Sequence, residues 1–296
     1  MICFMLGGNS ASAQVFTSDN YNDGLYVENG TGVKQIVPYP DVREADVMWK
    51  KRVWREIDFR QKMNLPFYYP RDGHQNWRRF MDVIMDALKE GRCQAYEVTA
   101  TGELTKPLPY SKLMSGLNSE RHQAVYDDYG NKVGDTVINI TFNPEAVTRL
   151  RLMEDWYFDA HRSQLMVRIE AICPVTMRDI NDSVQMPNEL FWIPFDENTR
   201  TVLSEAPVYN RNNSAARMSY DDLFWKRQFD SYIYKEENVY DRSIQDYATG
   251  VDALNESNRI KQEIIDFEQN VWEYSTLYDM IKKRRIVKSV FFLYKY

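Results

Sequence analysis

The chain has 296 residues, 44% hydrophobic and 27% charged, the balance of a globular protein with a sizeable core and not of a disordered or membrane-embedded one. A net charge of -6 excludes nucleic acid as the natural partner, because phosphate recognition needs a basic surface. An aromatic share of 14%, with 20 Tyr and 7 Trp, favours recognition, since these rings suit surfaces that are apolar on one side and wet on the other.

The opening residues read as an export signal. Ile2–Leu6 is a short apolar run, and Ala11-Ser12-Ala13 is a small-x-small cleavage pattern ahead of Gln14, although the usual basic start is missing. Cleavage there places the mature chain in the periplasm. Cys3 stands before the cleavage pattern, so no cysteine remains at the new N-terminus to be lipidated. No run of about 18 apolar residues occurs, and no transmembrane helix is expected. Cys93 and Cys173 persist, either as a disulfide that an oxidising compartment permits or as two buried thiols. Neither has a CxxC neighbour, which argues against structural zinc.

Residues 14–40 are polar and read as an arm that Pro38 and Pro40 end. Asp41 and Glu44 predict a helix running to about Lys62. It carries Asp46-Val-Met-Trp49-Lys50, an order that returns as Asp222-Leu-Phe-Trp225-Lys226, each followed by an arginine, Arg52 and Arg227. Both read as helix openings, with an acid in front and cations behind, as the helix dipole favours. Trp77, Phe80, Met81, Ile84 and Leu88 predict a second helix with Gly91 as its stop.

Strands are predicted over 92–99, 136–142, 165–175 and 190–195, with Val167, Ile169 and Ala171 on one face of the third. Residues 100–136, rich in Pro and Gly, read as a long excursion, and Asn143-Pro144-Glu145 as a capped helix start. The stretch from Glu205 to Arg217 reads as a linker. Ser219–Lys235 is predicted as one helix and 255–285 as another. In the latter, Ile260, Ile264, Phe267, Val271, Tyr274, Tyr278 and Ile281 step by four and three, a coiled-coil spacing that must pack on this chain or on a neighbour. Ser289–Tyr296 is apolar and aromatic enough for an edge strand.

None of the nucleophile-elbow, phosphate-loop, dinucleotide or HExxH signatures is present. The constellation that invites chemistry is Asp155, Asp159 and His161. On an extended segment these three share a face and could hold a metal for hydrolysis. The competing reading pairs Asp159 with Arg162 or Arg168 and leaves His161 exposed. The aromatic content also admits a periplasmic glycan-binding module.

Three long blocks carry a resemblance. They are Val37–Asp58, Glu154–Val175 and Tyr220–Lys235, in that order. Together they resemble the GldN/PorN family, periplasmic components of the type IX secretion and gliding motility machinery of Bacteroidetes, over about Val37 to Tyr274. The resemblance implies a non-enzymatic building block without cofactor or metal. It implies a ring of many copies, joined to a GldK/PorK-like outer-membrane lipoprotein, and contact with the periplasmic part of a GldM/PorM-like inner-membrane partner. The short leader and the stretch from Ile286 to Tyr296 have no counterpart in it. The expected fold is α+β, a small mostly antiparallel sheet flanked by helices with a helical C-terminal region. Its organisation is read as a signal (1–13), an arm (14–40), a body (41–206), a linker (207–218) and a C-terminal region (219–296). Expected partner contacts are Trp49, Arg52, Trp54 and Arg55 in the first block and Trp225, Lys226 and Arg227 in the last, since Trp and Arg dominate interface hot spots.

Overall fold

A computed structural model describes residues 35–70, 77–99, 103–126, 132–181, 184–210, 213 and 218–271. All of them fall in one unit, Lys34–Tyr296; the other unit, Met1–Val33, lies outside the described residues. Also outside are the export signal, most of the arm, the middle of the linker, the predicted helix beyond 271 and the Ser289–Tyr296 tail.

In chain order the elements are β1 (Val47–Asp58), α1 (Leu65–Tyr68), α2 (Phe80–Lys89), β2 (Ala95–Tyr96), β3 (Pro107–Leu108) and α3 (Tyr110–Leu117). There follow β4 (Ser119–Tyr126), β5 (Lys132–Ile140), β6 (Val147–Asp159), β7 (Gln164–Asn181), β8 (Val184–Glu189) and β9 (Ile193–Pro194). The remainder are α4 (Glu197–Glu205), β10 (Pro207–Val208), β11 (Met218–Ser219), α5 (Tyr220–Trp225), β12 (Tyr232–Glu236) and a helix α6 over 251–271. The fold is α+β. Its main sheet is antiparallel in the order β12-β1-β6-β7-β8, with β9 also pairing β7.

Two helix predictions are corrected. The helix expected from Asp41 to about Lys62 is one 3-10 turn, Glu44–Asp46, followed by strand β1. Trp49, Val53 and Ile57 share a face at a spacing of four, which a helix and a strand satisfy alike. The deciding signal is the second face. Trp54 and Glu56, between those residues, are buried as well, as happens in a strand covered on both sides. The helix expected over Ser219–Lys235 is a single short turn, α5, and then β12. Tyr232 and Tyr234 alternate with Ile233 there, the period of a strand.

A third correction concerns β7. Its register shifts where Met153 faces Ala171 and Glu154 faces Ile169, so Glu170 is an extra residue. That bulge puts Ile169 and Ala171 in different cores, on opposite faces. The strand itself stands as predicted, as do α2 and a strand over 136–142 as part of β5. Those expected over 92–99 and 190–195 shrink to the pairs β2 and β9. The start at Asn143 is capped as read, with the Glu145 amide donating to Asn143 Oδ1 at 2.9 Å, but the helix is one 3-10 turn. At the ends of the linker stretch, Pro207 and Val208 pair with Ser219 and Met218.

α2 and α5 close alike and show what a cap requires. Gly91 (φ 72°) follows α2, where the Gly91 and Arg92 amides donate to the Leu88 and Ala87 carbonyls. After α5 the left-handed position holds Arg227 (φ 51°), with its amide and that of Gln228 donating to Phe224 and Leu223. A non-glycine residue there costs roughly 1–2 kcal/mol, and its side chain reaches Glu154 in return (below). At the other end Ser219 caps α5 in a capping box with Asp222. We expect Ser219→Ala to lower the unfolding free energy by about 1 kcal/mol, measurable by urea titration.

The sheet is covered on both faces. Leu150, Leu152, Ile172 and Ile57 pack under α1, α2, α4 and α5. On the same face Val53 and Ile233 pack under α6 through Ile260 and Ile264, and Trp49 stacks on Phe267 at 4.5 Å. The described part of the heptad stripe therefore packs within this chain. Burial of each isoleucine contributes about 1.5–3 kcal/mol. On the opposite face Trp54, Met153, Ala171, Cys173, Val175 and Tyr234 pack with Trp192, Tyr96 and Leu104. Cys93 and Cys173 are both buried free thiols, in different cores.

Candidate partner-binding surface

The three sequence blocks meet in space. They supply β1, the end of β6 with most of β7, and α5 with most of β12, and β12-β1-β6-β7 are four adjacent strands. The four named from the first block, Trp49, Arg52, Trp54 and Arg55, therefore lie on the sheet strand β1, and the three from the last block, Trp225, Lys226 and Arg227, stand at the end of α5.

Alternation along β1 sorts them by face. Lys50, Arg52, Trp54 and Glu56 share one face. Arg52 grips Asp155 on β6 through Nε and Nη2, at 2.6 and 2.8 Å, and Lys50 Nζ reaches the same carboxylate at 2.7 Å. Burial opposes charge on Asp155, but these two cations hold its pKa below the ordinary value. Trp54 is 6% exposed, and Lys235 Nζ lies 4.8 Å from its ring centre. Glu56 is fully buried. It accepts from Arg149 at 2.6 Å, from Arg151 at 2.9 Å and from the Tyr232 hydroxyl. Arg151 also donates to Glu189 and lies 4.1 Å from the Tyr234 ring centre.

On the other face Arg55 is buried and donates to the Ser231 hydroxyl and carbonyl at 2.9 and 3.1 Å. Arg227 donates from its left-handed turn to both oxygens of buried Glu154, at 2.9 and 3.1 Å, and Trp156 Nε1 donates there at 3.0 Å. The residues Arg52, Trp54, Arg55 and Arg227 thus make the sheet's internal framework, and Trp49 is half-buried against α6.

Trp225 and Lys226 stand differently. Trp225 is 40% exposed at the end of α5, and Lys226 is exposed beside it. The indole is held from below: Tyr39 lies 5.3 Å away ring to ring, and the Arg200 guanidinium is 5.0 Å from its centre. Arg200 is 2% exposed and forked onto Asp221 at 2.8 and 3.2 Å, while Arg168 and Arg200 each lie 4.9 Å from the Tyr39 ring. An exposed indole already fixed by such a stack loses little entropy on contact, which favours binding. Tyr39, Arg168 and Arg200 were not among the sequence candidates. The bracket Pro38-Tyr39-Pro40, which stiffens the chain around one aromatic, is the signal that points to Tyr39, whereas no local signal marks Arg168 and Arg200.

The Asp155, Asp159 and His161 constellation does not assemble. Asp155 is held by Arg52 and Lys50 as above. Asp159 accepts from Arg162 Nη1 at 2.6 Å and from the His161 amide at 2.9 Å, while His161 itself is exposed. The reading that pairs Asp159 with Arg162 is the observed one. Among the described residues no group of three or more His, Cys, Asp or Glu is placed to hold a metal, and no helix is long and apolar enough to cross a membrane.

No curated protein matches the chain. A match to the family described as gliding motility associated protein GldN runs over residues 42–273, from the 3-10 turn before β1 to just beyond the described part of α6. With that match covering the whole sheet, the chain belongs to the GldN family of gliding motility associated proteins.

Proposed function

We propose that this chain is a non-enzymatic structural subunit of the type IX protein secretion and gliding machinery. It works in the periplasm, in a ring of many copies held to the outer membrane by a GldK/PorK-like lipoprotein. In this reading it also meets the periplasmic region of a GldM/PorM-like inner-membrane partner. The family match over residues 42–273 carries the reading. The sheet supports it: carboxylates that would do acid–base work, Glu56, Glu154, Asp155 and Asp159, are each gripped by arginine. Such pairing suits a stiff part better than a site that must exchange protons. Trp225 and Lys226 are our choice for the lipoprotein contact, because they combine exposure with a rigid base.

The test is light scattering of the chain from Gln14 onward, alone and mixed with the lipoprotein. A small species that becomes a very large uniform particle in the mixture bears the reading out, and a monomer indifferent to the lipoprotein overturns it. We expect Trp225→Ala to weaken lipoprotein binding about tenfold or more. Its effect on unfolding should stay within about 1 kcal/mol, as for surface positions generally. Equal affinity for both forms would move the contact elsewhere.

A further inference from the structure

We propose that Arg168 is the charged half of the Trp225 contact and receives an aspartate or glutamate side chain of the partner that docks there. Arg168 and Trp225 touch the same ring. The Arg168 guanidinium lies 4.9 Å from the centre of Tyr39, and the Trp225 and Tyr39 rings are 5.3 Å apart. The partner surface that fits is an acidic side chain set beside an apolar one, the first for the guanidinium and the second for the indole. This inference rests on the reading that Trp225 and Lys226 meet the lipoprotein.

The unused guanidinium selects the chemistry. Of the buried and half-buried arginines described, Arg168 alone lacks a bonded partner. Arg52, Arg55, Arg149, Arg151, Arg200 and Arg227 each donate to a carboxylate or a hydroxyl. No acceptor among the described residues bonds the Arg168 guanidinium, and none of its nitrogens is sealed from solvent. The register explains why. Asp155 on β6 stands opposite Arg168 on one side and Arg52 on the other, so either cation could take it. Arg52 forks onto both of its oxygens and Lys50 adds a third contact, which leaves Arg168 no share.

Glu170, on the bulge, is the other acid nearby, and it forms no ion pair among the described residues. Lys50, Arg52 and Arg168 therefore face Asp155 and Glu170, three cations to two acids. Lys226, 52% exposed and 3.6 Å from Asp222, adds a further cation beside the indole. A guanidinium stacked on an aromatic ring keeps its edge free for a two-pronged bond to a carboxylate. Because Tyr39 already holds it, little side-chain entropy is lost on contact.

The test uses the full chain and the lipoprotein. Arg168→Gln breaks no bond within the chain, so we expect an unchanged melting temperature and lipoprotein binding weakened about tenfold. Arg168→Lys keeps the charge and supplies an amine that carbodiimide couples to a touching carboxylate. Treating that variant in the complex should link position 168 to an Asp or Glu of the lipoprotein, read by mass spectrometry. Equal affinity of the native chain and Arg168→Gln would overturn the proposal and leave the Trp225 contact standing. A fall in affinity without the link would overturn it as well, since the altered stack on Tyr39 would then be the cause. So would a link to Asp19, Asp23 or Glu28 of this chain, or to a second copy of it. A native chain indifferent to the lipoprotein would overturn both readings.

Discussion

Trp54→Ala is expected to destabilise the chain by about 3–5 kcal/mol, the range for emptying a buried indole site. The side chain is 6% exposed between Met153 on β6, Tyr234 on β12 and Trp192, with the Lys235 ammonium over its ring. Neighbours on two strands and a loop cannot all move inward, so a cavity remains and its cost adds to the lost burial. Urea unfolding checks this, with the slope against urea unchanged if only stability is altered. Trp225→Ala provides the contrast, because that ring stands at the surface. Should Trp54→Ala leave stability within about 1 kcal/mol and abolish lipoprotein binding instead, the covered face of the sheet would have to open on assembly.

Trp54 also shows where the sequence was legible and where it was not. Composition and the order of the three blocks pointed to one family and to an α+β body. Elements with local chemistry were readable: Gly91 marks a cap because a left-handed residue is needed there, and Asn143 marks a turn because its side chain accepts an amide. β1 was not readable. Its spacing of four satisfies helix and strand alike, and the residues between, Lys50, Arg52 and Glu56, look like a solvated helix face. Glu56 is buried and Arg52 half-buried only because Arg149, Arg151 and Asp155 arrive from β6, about a hundred residues later, to neutralise them, and exposed Lys50 reaches Asp155 as well. Such long-range pairing leaves no local periodicity. The bulge at Glu170 is hidden for the same reason, since it exists only in register with Met153 and Glu154. The surface stack under Trp225 depends on Tyr39, Arg168 and Arg200, which come from three distant parts of the chain.

That long-range neutralisation makes a second large prediction. Glu56→Gln keeps the shape of the side chain and removes the charge that Arg149 and Arg151 share. We expect a loss of about 3 kcal/mol near neutral pH, the lower part of the range for breaking a buried ion pair. Arg151 retains Glu189, and Arg149 retains a distant Asp58 at 3.9 Å, which is why the loss stays at that end. The pH dependence identifies the cause. Burial by itself would raise the pKa of Glu56, but attraction to Arg151, the Tyr232 hydroxyl and Arg149 outweigh it, and the net result lies below the ordinary 4.5. A carboxyl lowered on folding contributes stability that is fully present above its unfolded pKa and is lost as pH falls through the folded one. The gap in unfolding free energy between the native chain and Glu56→Gln should therefore hold down to about pH 5 and narrow below the ordinary value near 4.5. At the lowest pH that still permits folding, both chains carry a neutral group in this position and should converge. A gap that stays constant with pH would mean that Glu56 is held by shape and hydrogen bonding alone. In that case the cations on β6 would be balanced by Glu189 and Asp58, and the rigidity ascribed to this face would rest on packing around Trp54.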